Sequence, residues 1–177
     1  MTYGAILGIV IVMYSLLLFT FNIMPIGFMQ IALAIIVIIT YCIGIYLSIK
    51  KIRNSVFKGD LTYRLGLMIG TLVTLFAAII SEFYTYVQNT LLEPDYMTRF
   101  AVAQVAWLKS LHERIPDIRI ENLIHDINEA IKSYDSLSAF FQSISSITIF
   151  GFAFSLIISA FLKKKTSHFE DGQFTQT

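Results

Sequence analysis

The first 49 residues carry no Asp, Glu, Lys or Arg, and charge then arrives together as Lys50, Lys51, Arg53 and Lys58. A helix crosses the ~30 Å hydrocarbon layer of a bilayer in about 20 residues, at ~1.5 Å each. The uncharged run is therefore too long for one crossing and needs a break. Asn22-Ile23-Met24-Pro25-Ile26-Gly27 supplies it, with Asn and Gly for a turn and Pro25 lacking a donor. The sequence predicts a tight hairpin at a membrane interface, with helix one near 3–24 and helix two near 28–49, because unpaired backbone is costly in lipid.

The rest of the chain follows the same scheme. Residues 65–92 form a third apolar segment with one charge, Glu82, closed by Glu93-Pro94-Asp95. A fourth runs from about Leu137 to Leu162, with a core at 141–162, between Asp135 and Lys163-Lys164-Lys165. Composition agrees: 56% hydrophobic residues against 14% charged is far from a soluble balance. The expected fold is all-α: a single polytopic membrane domain with four transmembrane helices and an amphipathic helical excursion, 93–135, between helices three and four. The amino-terminal run lacks the basic start and small-residue cleavage site of a signal peptide, so it is read as a retained span.

Basic residues in short flanks give the orientation. Lys50, Lys51, Arg53, Lys58 and Arg64 fall on the same side as Lys163–Lys165, while the excursion holds eight acidic residues against five basic. Both termini, including the tail 163–177, are expected in the cytoplasm of a bacterial inner membrane. In the excursion, Met97, Phe100, Trp107, Leu108 and Leu111 form an apolar stripe before Pro116. Ile120, Leu123, Ile124, Ile127 and Ile131 recur at helical spacing after it. Two helices joined at 115–117 follow, packed on each other or on the membrane surface. Their mixed acidic faces do not suit a basic lipid anchor, and the basic residues form no broad nucleic-acid-binding face.

Glu82 is the residue to which chemistry attaches most readily. Counted from the end of the apolar segment at residue 92, it lies about 15 Å inside the span, where a carboxyl turns toward protein or water. Gly66, Gly70, Thr74, Ala78 and Glu82 follow at four-residue steps, a small-residue ridge that lets another helix approach closely. Gly151, Ser155 and Ser159 repeat the pattern in helix four, and Gly4 with Gly8 begins it in helix one. Ser143, Ser145, Ser146 and Thr148 enter helix four near the depth of Glu82, and Tyr14 and Ser15 can approach from helix one. These residues make a candidate intramembrane polar site, either a structural hydrogen-bonded group or part of an ion path.

Other patterns carry less. Cys42 is the sole cysteine and lies in an apolar run. Glu121, His125 and Glu129 share a helix face as a solvated charged surface. His112-Glu113 lacks the second histidine of a zinc-hydrolase helix, and His168 falls in the polar tail. Ser143–Ser146 has no nucleophile-elbow context. No catalytic residue, metal site or cofactor is expected.

Three stretches resemble the DUF4199 family of small bacterial membrane proteins, found mainly in Bacteroidetes. They are Phe57-Lys58-Gly59-Asp60-Leu61-Thr62-Tyr63 entering helix three, Asn89-Thr90-Leu91-Leu92-Glu93-Pro94-Asp95-Tyr96 leaving it, and Gly151 to Lys165 at the end. The resemblance implies four spans and a bacterial membrane, and carries no activity or site residue. The expected function is that of a non-enzymatic structural or accessory membrane protein. Its partners are the lipid bilayer and either another protein or a second copy of the chain. A small oligomeric transporter or channel with Glu82 near its path is the alternative, its substrate unspecified; a membrane-embedded enzyme has no motif behind it.

Overall fold

The computed structural model describes residues 1–114 and 120–163. The helices are α1 (Thr2–Thr20), α2 (Phe28–Ser55), α3 (Tyr63–Val87), α4 (Tyr96–Arg114), α5 (Glu121–Lys132) and α6 (Ser136–Leu162), with a π-helical turn, Gln88–Leu92, continuing α3. Four are long and apolar enough to cross a membrane: α1, α2, α3 with its π-turn, and α6. Their outward faces carry exposed apolar side chains such as Ile9, Ile35, Phe150 and Phe161, as a lipid-facing surface should. The joint at 115–117 and the tail, with Lys164, Lys165 and His168, lie outside the described residues.

Helix boundaries depart from the hydropathy reading where local chemistry intervenes. α1 stops at Thr20 rather than 24 because Asn22 takes the left-handed conformation (φ 51°). Ile23 N–H then bonds the Leu18 carbonyl at 2.9 Å, and Asn22 N–H bonds Phe19 at 2.9 Å, a Schellman closure. α2 continues past residue 49 to Ser55, carrying its basic residues on a helix. α6 starts at Ser136, where Asp135 accepts a 2.9 Å bond from Ser138 N–H.

That cap holds the Asp135 carboxyl below the usual range, chiefly through the Ser138 hydroxyl and amide. A depressed carboxylate stabilises above its unfolded pKa, and the contribution is lost as pH falls through the folded value. The first turn of α6 is expected to fray on acidification, seen as faster amide exchange at Ser138. Asp135→Asn should keep a cap and remove that pH dependence.

The small-residue ridges meet. α3 and α6 run antiparallel in the most extensive helix contact of the molecule. A Cβ on Gly66 would lie 2.8 Å from Ser159 Oγ, a Cβ on Gly70 2.8 Å from Ser155 Cβ, and one on Gly151 inside the Thr74 side chain. Thr74, Ala78, Ser155 and Ser159 are wholly buried there. The Ser155 and Ser159 hydroxyls have no hydrogen-bond partner among the described residues; they occupy the space opposite the glycines.

α1 packs on the opposite side of α3 and runs parallel to it. Gly4 lies beside Val73 and Phe76, Gly8 beside Ala77 and Ile80. α2 leans on this pair through Gly44, which receives Leu7, and through Ile45, which reaches Gly70. At one end Ile45, Ile49, Leu61 and Leu162 close the core. There Arg53 donates to the Leu162 carbonyl at 3.3 Å, a cation at the carboxyl end of α6. Lys50, Arg64 and Lys163 belong to this basic end.

The opposite end bears the cap. α4 packs against α5 and reaches back to the α1–α2 turn. Trp107 lies over Gly27 and meets Phe28 edge-on at 5.7 Å and 88°, and Gln104 donates to Gln30.

Candidate functional site

Glu82 lies on α3 about 27 Å beyond Arg64 by the helical rise, near the far side of a ~30 Å hydrocarbon layer. The regular helix ends at Val87, about 8 Å away. The π-turn Gln88–Leu92 carries the span on past that point.

Beside it is a cleft of about 50 Å³ whose polar lining comes from Glu82, Thr85, Asn89, Tyr134, Ser136 and Ser143. Each element contributes by position. α3 supplies Glu82, Thr85 and Tyr86 on one face, and the π-turn adds Asn89, which is 7% exposed. α6 supplies Ser136 and Ser143, while Met97 of α4 and Tyr134 close the outer side. Ser143 lies close enough for its hydroxyl to act on the Glu82 carboxyl. Asn89 Nδ2 approaches Tyr134 Oη at 3.5 Å, the long limit of a hydrogen bond, and Thr85 Oγ1 donates to Ser81 O at 3.1 Å. The Tyr86 and Phe140 rings meet edge to face at 5.9 Å.

A second cleft, about 170 Å³, lies on the α1 side, lined by Ser15, Pro25, Gln88 and Tyr96 among others. Thr85, Asn89 and Met97 border both clefts, so the π-turn stands between two polar recesses under the first turn of α4. That turn is fastened by an ion pair, Arg99 to Glu93, at 2.8 Å. Burial raises the pKa of the Tyr96 phenol; the Glu93 charge adds to the rise and Arg99 opposes it, so the phenol is held neutral.

The hydroxyls placed near Glu82 by depth divide. Ser143 lines the cleft. Ser145 and Ser146 are exposed, Ser145 donating to the Phe141 carbonyl at 2.9 Å. Thr148 donates to Ile144 O at 2.7 Å. Depth alone does not bring these three to Glu82: the α3-facing stripe of α6 steps through 143, 147, 151, 155 and 159, which turns 145 and 146 outward. Back-bonding to their own helix satisfies Ser145 and Thr148. Tyr14 is engaged elsewhere, donating to Leu33 O on α2 at 3.4 Å. Ser15 lines the second cleft.

Asn89, Thr85 and Tyr134 were not picked out by sequence reasoning. Glu82, Thr85 or Tyr86, and Asn89 recur at the spacing of one helix face, a signal the end of the apolar run conceals. Toward the basic end, Tyr41 Oη of α2 is buried without a hydrogen-bond partner among the described residues. Ser81 and Glu82 are close enough to act on it, yet Ser81 Oγ turns to the Ala78 carbonyl at 3.2 Å.

Elsewhere a recess of about 260 Å³ on the cap is bordered by Lys109 and Asn128 among apolar side chains, and the two largest recesses are almost wholly apolar. One of about 330 Å³ lies between α4 and α5, and another of about 290 Å³ between α2 and α6. Glu129 pairs with Lys132 at 2.9 Å, and His125 faces Asp126 at 3.8 Å on an exposed surface. Among the described residues no three His, Cys, Asp or Glu side chains gather as a metal-holding group.

A family model described as "Protein of unknown function (DUF4199)" matches residues 2–164. No curated protein and no solved structure matches the chain.

Proposed function

The chain belongs to the DUF4199 family, and from that premise we propose that it is a non-enzymatic accessory or structural component of a bacterial cytoplasmic membrane. In this reading the basic end and both termini face the cytoplasm, as the excess of Lys and Arg there favours, and the α4–α5 cap faces outward.

The observation that carries the reading is the distribution of polar groups. The two polar clefts beside α3 lie at the cap end, and neither is lined by an α3 or α6 residue on the basic-end side of Glu82 and Ser143. Between them and the basic end the helices are joined by side chains with no exposed area: Ile45, Ile49, Thr74, Ala77, Ala78, Ser155 and Ser159. A packed bundle that presents its chemistry on one face suits a scaffold or an accessory subunit better than a conduit. The cap is the surface offered to a protein partner or to a second copy.

Proteoliposomes test this directly. The purified protein is expected to give no proton, sodium or potassium flux above that of protein-free vesicles. A flux abolished by Glu82→Gln would overturn the reading in favour of a small oligomeric transporter. For orientation, a cysteine at Asn128 in a Cys42→Ser background should react with an impermeant thiol reagent from outside intact cells. Labelling from the cytoplasm alone would invert the topology. Repeated isolation from native membranes without a stable protein partner would remove the accessory role and leave the structural one.

A further inference from the structure

We propose that the Glu82 cleft is a binding site for a small monovalent metal cation of the sodium or potassium class. The proposal does not depend on the accessory reading; it concerns what the cleft holds.

The donor set sets the class. One carboxylate is accompanied by neutral oxygens from Ser143, Ser136, Thr85, Tyr134 and Asn89; the lining holds no histidine or cysteine, and its one sulfur is the uncharged thioether of Met97. All-oxygen sets suit hard cations, and the softer transition metals prefer nitrogen or sulfur. A single negative charge is matched by one positive charge, whereas strong calcium sites gather several carboxylates. Among the described residues Glu82 makes no ion pair; the cap pairs are Glu93 with Arg99 and Glu129 with Lys132. A partly buried carboxylate without a basic partner is the group that a bound cation would satisfy.

Size and access agree. A volume of about 50 Å³ admits a bare or partly hydrated ion and excludes large organic cations. The cleft lies at the cap end, bordered by the π-turn, Met97 of α4 and Tyr134, so the approach for an ion is from the cap side. The lining spans α3, the π-turn, α6 and the α5–α6 connection, and Asn89 is placed there by the π-turn, a device frequent at functional sites. A bound ion would tie these segments together, and a ligand held by the folded state alone raises the unfolding temperature with its concentration.

The test is thermal unfolding of the full chain in detergent or nanodiscs. NaCl and KCl are titrated against N-methylglucamine chloride at constant ionic strength and at a pH well above the ordinary carboxylate range. The expected result is a saturable rise in Tm with sodium or potassium, absent in Glu82→Gln. Equal Tm values in all three salts would overturn the proposal, as would a metal-specific rise that persists in Glu82→Gln. Should Glu82→Gln fail to fold, Ser143→Ala and Tyr134→Phe serve instead. Each is expected to raise the half-saturating concentration about tenfold relative to the parent, the scale of one lost hydrogen-bonding or charge–dipole contact, each variant's shift being read against its own Tm in N-methylglucamine. An unchanged half-saturation in both would equally refute cation binding.

Discussion

Replacing Gly70 by leucine is expected to drive α3 and α6 apart and destabilise the bundle by ~3 kcal/mol or more, an upper-range cost of overpacking. The site has no slack: a Cβ there already meets the Ser155 side chain, with Ile45 Cγ2 at 3.1 Å on the other side. Against a typical total stability of about 5–15 kcal/mol, a loss of that size is a large fraction of the whole. The sign separates packing from propensity. Gly70→Ala alone should also destabilise, although helix propensity favours alanine over glycine by ~1 kcal/mol. Because the obstacle is Ser155, the pair Gly70→Ala with Ser155→Gly should recover much of the loss, a coupling of ~1–2 kcal/mol for residues in contact. Reversible unfolding in bicelles or mixed micelles measures all four corners of the cycle. A Gly70→Ala protein as stable as the parent would show that the helices do not approach closely there.

The second large effect belongs to the cap. Gly27 has φ 60° and ψ −130°, a backbone region open to glycine and strained for any residue with a Cβ. A side chain there would also enter the indole of Trp107. Gly27→Val therefore meets two penalties at once, backbone strain and the loss of the surface on which α4 docks. Trp107 is the sole tryptophan in the sequence, so its emission reports the dock without ambiguity. The variant is expected to shift that emission to the red and to increase its quenching by iodide several-fold, while far-ultraviolet circular dichroism keeps the helix content of the four spans. Phe28→Ala, which removes the edge-on ring and leaves the turn intact, should give a smaller change of the same kind. Unaltered emission in Gly27→Val would mean that α4 does not rest on the turn.

These two sites differ in how far the sequence reveals them. The glycine and serine ridges at Gly66, Gly70, Gly151, Ser155 and Ser159 are periodic, and periodicity within one helix survives in a linear chain. The four spans are visible for the same reason, since hydropathy is local. The contact of Trp107 with Gly27 joins segments 80 residues apart, and neither residue signals the other. The functional site is mixed. Glu82 stands out as a lone charge in an apolar run, and the antiparallel step of α3 against α6 sets Ser143 opposite it. Depth alone could not sort Ser143 from Ser145, Ser146 and Thr148, because rotation about the helix axis decides which of them faces α3. Asn89 and Tyr134 depend on a π-turn and a connection, whose geometry has no simple periodic signature.

The parallel pairing of α1 with α3 constrains the order in which the molecule can be made. The glycine face of α1, Gly4 and Gly8, is covered by Val73, Phe76, Ala77 and Ile80, and α2 touches α1 much less. During synthesis α1 and α2 emerge before α3, so the first hairpin must wait in the bilayer with its best contact surface bare. α3, once inserted, receives α1 on one side and then α6 on the other. It is the template on which the earlier and later spans assemble.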